Sequence, residues 1–262
     1  MDLRLKDKVV IVTGGAKGIG EGIVQVLAKE GAIPVIVGRN AADNQKVVDE
    51  LVANGGQAFQ VAAELMDPKE SEKAVNLVLE KYGRIDGLIN NAGVNDGVGL
   101  ESGDYDRFVA SLHKNVIHYY MMAHYALPAL KKSRGSIVNI SSKVADTGQG
   151  GTSAYAASNG ARNAMTREWA VELLPYGIRV NAVIVAECYT PLYQNWINSI
   201  PNPEEKLASI KAKIPFEQRM TTAEELANAT VFLLSEVSSH TTGQLVYVDG
   251  GYVHLDRSIS PE

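Results

Sequence analysis

The chain carries one cysteine, Cys188, among 262 residues. A lone thiol forms no intrachain disulfide and no multi-cysteine zinc site, so a reducing, cytoplasmic setting is expected. Charge of one sign is not in excess: 25 Lys and Arg stand against 30 Asp and Glu, a net charge of -5. Without basic blocks or aromatic-interleaved patches, that balance argues against nucleic acid as a partner. Long apolar runs are missing too, and charges at Asp2, Arg4, Lys6, Asp7 and Lys8 leave no secretory core. A soluble protein without a membrane partner is the expectation. The five histidines, His113, His118, His124, His240 and His254, share no ligand spacing, and no metal is expected.

What is present in quantity is glycine, 24 residues, in a chain that is 45% apolar. That composition suits one compact domain over residues 1–262. Short Val- and Ile-rich runs alternate with segments of helical period, the pattern of parallel strands joined by helical crossovers. The strands are expected at Val9 to Val12, Pro34 to Val37, Gln57 to Val61, Gly87 to Ile89, Ser136 to Ile140, Arg179 to Val183 and Leu245 to Val248. Continuous apolar character in VVIV, SIVNI and RVNAVI places helices on both faces, giving an α/β doubly wound Rossmann fold on a seven-stranded parallel sheet. A helix over Gly18 to Lys29 packs Ile19, Ile23, Val26 and Leu27 inward. The irregular stretch 187–215, with Pro191, Pro201, Pro203 and Pro215, reads as a substrate lid.

The tip of the first strand is Thr13-Gly14-Gly15-Ala16-Lys17-Gly18-Ile19-Gly20, a glycine-rich turn opening into a helix. Glycine lets the backbone turn sharply and approach a pyrophosphate, and the positive end of the helix faces the anion. Glycines also make plain tight turns; the strand-turn-helix position is what directs Gly14, Lys17, Gly18, Ile19 and Gly20 to a dinucleotide. Cofactor choice rests on charge near the adenosine ribose, where a carboxylate would hold the 2'-hydroxyl of NAD. The second strand ends Val37-Gly38-Arg39-Asn40 with no acid. Lys17 and Arg39 could both meet a 2'-phosphate, which favours NADP(H) and leaves NAD(H) open.

The T-G-x-x-x-G-x-G spacing, Asn90-Asn91-Ala92-Gly93 after the fourth strand, Ser142, and Tyr155 thirteen residues later together resemble the short-chain dehydrogenases/reductases, from about Leu5 to Tyr252. The resemblance implies that Asn91, Ala92 and Gly93 brace the sheet and pass beside the adenosine. It implies that Glu64-Leu65 stands in place of an Asp-aliphatic pair touching adenine. Tyr155, in SAYAASNGA, would exchange a proton with the reacting oxygen, and Ser142, in NISSK, would hydrogen-bond that oxygen. Asn115, in SLHKNVIHYY, would hold a water-linked proton path, and Thr190 would face the cofactor, with Ala186-Glu187 replacing the family's Pro-Gly. A homotetramer is implied as well, joined through helices near Asp104 to Lys131 and Ser153 to Tyr176 and through the C-terminal strand, with the tail HLDRSISPE reaching a neighbour.

One position departs from the family pattern. Where the resemblance implies a lysine that binds the nicotinamide ribose and favours the phenolate of the tyrosine, this chain has Asn159. Asparagine keeps hydrogen bonding and supplies no charge, while an unperturbed phenol titrates near pH ~10. Three explanations stand: an altered lysine in an active enzyme, a natural variant with a substitute cation (Lys143 and Arg162 are near in sequence), and a protein that binds cofactor without turnover. Restoring lysine at 159 is expected to raise alcohol oxidation and lower the pH optimum unless another cation does its work.

A sugar site should present short polar groups. Candidates are Asn95 and Asp96, Ser142, Lys143, Gln149 and Thr152, Tyr155, Glu187, Tyr189 and Trp196. At finer grain, NAGVNDGVGLES, HYYMMAHYALP, NISSK with TGQGGTSAY, TREWAVEL, AECYTPLYQNWI and HTTGQLVYVDGGYVHLDR look like the bacterial L-fucose dehydrogenases of this family. That resemblance implies oxidation of an aldose at C1 to the lactone; a carbonyl reductase for acyl or steroid substrates is the alternative.

Overall fold

The computed structural model describes residues 2–255. Seven strands, β1 (Val9–Thr13), β2 (Ile33–Gly38), β3 (Phe59–Ala62), β4 (Gly87–Asn90), β5 (Ser136–Ser142), β6 (Arg179–Val185) and β7 (Leu245–Val248), pair in parallel in the order β3-β2-β1-β4-β5-β6-β7. Among the described residues nine α-helices connect or follow them: α1 (Gly18–Lys29), α2 (Ala41–Ala53), α3 (Pro68–Tyr82), α4 (Tyr105–Leu112), α5 (His118–Ser133), α6 (Ser153–Glu172), α7 (Pro191–Asn198), α8 (Pro203–Lys211) and α9 (Ala223–Leu234).

The two faces of each strand feed different cores, as alternating side chains require. Val9 and Ile11 of β1, with Val35 and Val37 of β2, pack beneath Val75 and Val78 of α3, Met122 and Leu130 of α5 and Trp169 of α6. Val10, Val12 and Ile36 point the other way, under Ile23 and Leu27 of α1, Val47 and Leu51 of α2, and Leu226 and Val231 of α9. Each fully buried aliphatic side chain contributes roughly 1.5–3 kcal/mol over its exposed state, which is why strands apolar on both faces belong in the middle.

The chain leaves β1 toward β2 and later crosses to β4 on its other side, so β1 and β4 flank the switch point where open α/β sheets bind ligands. The register aligns the strand tips there: Thr13 pairs with Val37, Asn90 with Asn139 and Ser142 with Val185. β5 and β6 run two residues past the ends expected from sequence because they support one another up to that last pair.

The expected helix from Asp104 to Lys131 is interrupted. Residues His113–Ile117 form a π turn between α4 and α5. Such bulges often occur at functional sites. The stretch 187–215 carries α7 and α8, and Cys188 bridges to Thr221 at the sheet's end. Among the described residues no helix is long and apolar enough to cross a membrane. Most of the tail expected to reach a neighbour lies outside the described residues.

Candidate active site

The glycine turn is shaped by contacts that only glycine permits. Gly14 and Gly18 have φ of 65° and 58°, a left-handed region costly for other residues. A Cβ on Gly20 would fall 2.1 Å from the Gly14 carbonyl oxygen and 2.6 Å from Asn91 Nδ2. Asn91 Nδ2 donates to the carbonyls of Thr13 (3.0 Å) and Gly14 (3.2 Å), and the backbone N–H groups of Asn91 and Ala92 donate to Thr13 Oγ1. Asn90 Nδ2 donates to Asn139 Oδ1 across the neighbouring strand, 3.1 Å away. Asn91 and Ala92 therefore brace the turn. Thr190 lies over it, its Cβ 3.1 Å from where a Gly18 Cβ would stand, while its hydroxyl caps α7 by accepting from the Tyr193 N–H. A cradle closed to any Cβ, at the head of α1 and at the switch point, fits a dinucleotide pyrophosphate. A cavity of about 370 Å³ beside it, walled by Gly18, Glu21, Thr190 and Ala223, reaches neither Ser142 nor Tyr155.

The reading of the adenosine end as acid-free needs correction. Lys17 pairs with Asp43 at 2.6 Å, and Arg39 with Glu64 at 3.7 Å. Asp43 comes from α2 and Glu64 from beyond β3, so neither shows at the end of the second strand. Both pairs are solvent-exposed, worth about 0–1 kcal/mol each, and would yield to a phosphate. Leu65 is buried in the core under the sheet, and Glu64 accepts from the Met66 N–H.

At the other side of the switch point, Ser142 ends β5 and is nearly buried, its Oγ accepting from the Val144 N–H. Tyr155 stands in the first turn of α6, which packs on the turn at Lys143–Ala145. Behind Tyr155 lies a continuous polar chain. Asn159 Nδ2 donates to the Tyr155 carbonyl at 2.8 Å, and Arg162 Nη1 donates to Asn159 Oδ1. Arg162 Nε donates to the Asn115 carbonyl at 2.6 Å, while Asn115 Oδ1 accepts from the Val94 N–H at 2.8 Å and its Nδ2 donates to the Ser111 carbonyl. Asn115 sits in the π turn, whose widened geometry frees its carbonyl for Arg162. Tyr155 is thus linked through Asn159 and Arg162 of its own helix to Asn115 in the π turn.

The expected substrate residues divide. Lys143 and Glu187 meet in a close ion pair, their side chains 8% and 13% exposed, with the Tyr252 ring 3.8 Å from Lys143 Nζ. Asp249 shapes the turn that brings Tyr252 there, accepting from the N–H groups of Gly251 and Val253. Burial, and then the nearby Glu187 carboxylate, push the Tyr193 phenol well above the usual range. Trp196 packs edge-on to Tyr193 at 5.1 Å. Asn95, in contrast, turns its carboxamide oxygen to its own loop at Gly97, Asp96 is held by Ser111 and Lys114, and Gln149 is exposed in the loop before α6. Tyr193 and Tyr252 were not singled out from sequence; only the fold brings Tyr252 to Lys143, with Tyr193 near Glu187. Arg162, seven residues after Tyr155, was readable as lying on the same helix face. Burial pushes the Cys188 thiol up to about 12, which removes it as a nucleophile. Among the described residues no three His, Cys, Asp or Glu side chains group as metal ligands.

A family profile described as enoyl-(acyl carrier protein) reductase matches residues 14–253. An L-fucose dehydrogenase of Bos taurus is 35% identical over 252 residues, 96% of this chain and 91% of that protein. A 3-oxoacyl-(acyl-carrier-protein) reductase, FabG, of Thermotoga maritima is 36% identical over 256 residues, 96% of this chain and 100% of its own. Among solved structures, the Cj0485 dehydrogenase is 45% identical, covers 100% of both chains and superposes with a TM-score of 0.95.

Proposed function

The chain belongs to the short-chain dehydrogenases/reductases, NAD(P)-dependent oxidoreductases, and on that premise we propose that it oxidises an aldose of the L-fucose kind at C1 to the lactone. The observation that carries the substrate class is the buried Lys143–Glu187 pair beside Ser142. A cation and a carboxylate held together beside Ser142 offer donors and acceptors at once, the set a polyol needs and an acyl chain does not. Tyr193 and Trp196 add the flat aromatic walls on which the apolar face of a sugar ring rests. The likeness to L-fucose dehydrogenases supports the same reading.

When bound, the cofactor supplies a nicotinamide ring that accepts hydride. Gly14, Lys17, Gly18, Ile19 and Gly20 would hold the pyrophosphate, with Arg39, Glu64, the backbone at Leu65, Asn91, Ala92 and Gly93 along the adenosine and Thr190 over the turn. NADP(H) is the favoured form, since Arg39 is 76% exposed in its side chain, loosely held by Glu64, and free to turn to a 2'-phosphate. Ser142 donates a hydrogen bond to the anomeric oxygen. Tyr155, as its phenolate, would take the hydroxyl proton while the C1 hydrogen leaves as hydride and the C=O bond forms, and Asn115 would lead that proton out. The segment 187–215 closes the cleft as a lid.

Assembly as a cytoplasmic homotetramer through α4, α5 and α6 suits the exposed apolar side chains Tyr120, Val171 and Leu174 on those helices and the turn after them. The Thermotoga relative and the matching profile favour a second reading, reduction of an acyl carbonyl. A panel of aldoses with NADP or NAD, run beside a 3-oxoacyl thioester with NADPH, separates the two. Reduced nicotinamide appearing with aldoses supports the proposal; consumption of NADPH by the thioester alone refutes it.

A further inference from the structure

A tyrosine that removes a hydroxyl proton must do so as its phenolate, and near neutral pH that anion needs a positive charge close by to be accessible. In this chain the helix position that a lysine would fill for that purpose holds neutral Asn159. Tyr155, Asn159, Arg162 and Thr166 lie along one face of α6. Arg162 is 3% exposed and, among the described residues, pairs with no carboxylate. Its Nε and Nη1 are spent on the carbonyls of Asn115 and Ile140 and on Asn159 Oδ1, but Nη2 has no hydrogen-bond partner. That nitrogen is directed at Gly93, where a Cβ would come within 2.8 Å of it. The guanidinium carbon lies 4.3 Å from the centre of the Tyr119 ring and 6.0 Å from that of Tyr155.

A purely structural arginine in this same chain looks different. Arg179 spends its guanidinium on the carbonyls of Leu233, Leu234, Ser235 and Thr241 and on Ser238 Oγ, the end of α9, where a cation is favoured by the helix dipole. Arg162 has three acceptors, none of them charged, and its Nη2 is left over; a buried charge without counter-charge is costly.

We propose that Arg162 is the positioning cation of this active site: Asn159 holds the guanidinium behind Tyr155, and the pair does the work of one lysine. The inference rests on the function proposed above. Groups facing Arg162 and Tyr155 from other elements bring no competing charge. His118 of α5 stays neutral, because burial and then the Arg162 charge push it down to about 3. Tyr119 donates to the Ile140 carbonyl, and burial pushes its phenol up. Asn115 is neutral, and Lys143 is compensated by Glu187.

The test measures kcat against pH for L-fucose oxidation with NADP, together with NADP affinity by fluorescence quenching, in Arg162→Gln, Arg162→Lys, Tyr155→Phe and the double variant Asn159→Lys/Arg162→Gln. Glutamine keeps a donor for a neighbouring carbonyl while removing the charge. Arg162→Gln should lose about tenfold or more in kcat near neutrality, with the deficit shrinking as pH rises and NADP affinity held within about threefold. Arg162→Lys and the double variant should recover most of the rate, since each restores a cation behind Tyr155. A merely structural arginine would not be replaced by a lysine one turn away. Arg162→Gln with the wild-type rate and pH profile overturns the inference, as does a double variant no better than the single one; activity surviving Tyr155→Phe overturns instead the reading beneath it. Should Arg162→Gln not fold, the double variant and Arg162→Lys decide: both must fold with the wild-type pH profile.

Discussion

Arg162 Nη1 donates a hydrogen bond of 3.0 Å to Asn159 Oδ1, so the position that a lysine would occupy is already held against a guanidinium. Introducing Asn159→Lys alone sets two cations in one buried space. With Arg162 in the role proposed above, the outcome expected of this substitution is no longer a faster enzyme: Asn159→Lys should melt lower by about 5 °C or more, on a penalty of about 2 kcal/mol, and gain no kcat. Differential scanning fluorimetry with initial rates checks both.

Gly20→Ala drives a methyl into the Gly14 carbonyl, 2.1 Å away, at the point where Asn91 fastens the turn. Backbone must move, at a cost of about 1–3 kcal/mol. Nicotinamide cofactor affinity, followed by fluorescence, should fall by about tenfold or more, with Gly83→Ala, strained by a positive φ of 69° and not by a close contact, and placed far from the turn, as the control for general destabilisation.

Arg39→Ala should raise the Kd for NADP by about tenfold and leave that for NAD within about twofold, in keeping with one charge-assisted contact. Glu64→Gln, which frees Arg39 from its 3.7 Å partner, should tighten NADP binding. Equal effects on both cofactors would mean that Arg39 does not meet the 2'-phosphate.

Glu187→Gln leaves the Lys143 ammonium buried without its counter-charge. KM for the aldose should rise by about tenfold, from lost hydroxyl contacts, while NADP affinity holds. Steady-state kinetics at saturating NADP reads this directly.

Two levels of the structure differ in how far the amino-acid order reveals them. The helix over Gly18 to Lys29 and the strand Leu245 to Val248 could be placed to the residue, because apolar period and flanking glycines are local properties. The π turn at 113–117 could not, since its side chains have ordinary helical spacing and the bulge arises from packing against Arg162 and Val94. Charge partners were the least visible. Asp43 and Glu64 reach Lys17 and Arg39 from other elements, and Tyr252 reaches Lys143 across 109 residues, contacts made by strand order and not by proximity in the chain.

His118 gives a pH signature. Its folded value, about 3, lies below the ordinary imidazole value, so the unfolded chain binds a proton that the folded chain refuses. This histidine therefore subtracts stability as pH falls from about 6.5 toward about 3 and has no effect above that window. The urea midpoint of His118→Gln should fall less steeply than that of the wild type between pH 6 and 4, if the fold is kept.

The most direct measurement is the initial rate of NADP reduction by L-fucose in the wild type and in Tyr155→Phe, which removes one oxygen and leaves the ring. Loss of about a hundredfold or more in kcat with NADP affinity unchanged is the predicted result. A phenylalanine variant that reduces NADP as fast as the wild type would contradict the assignment of proton transfer to Tyr155.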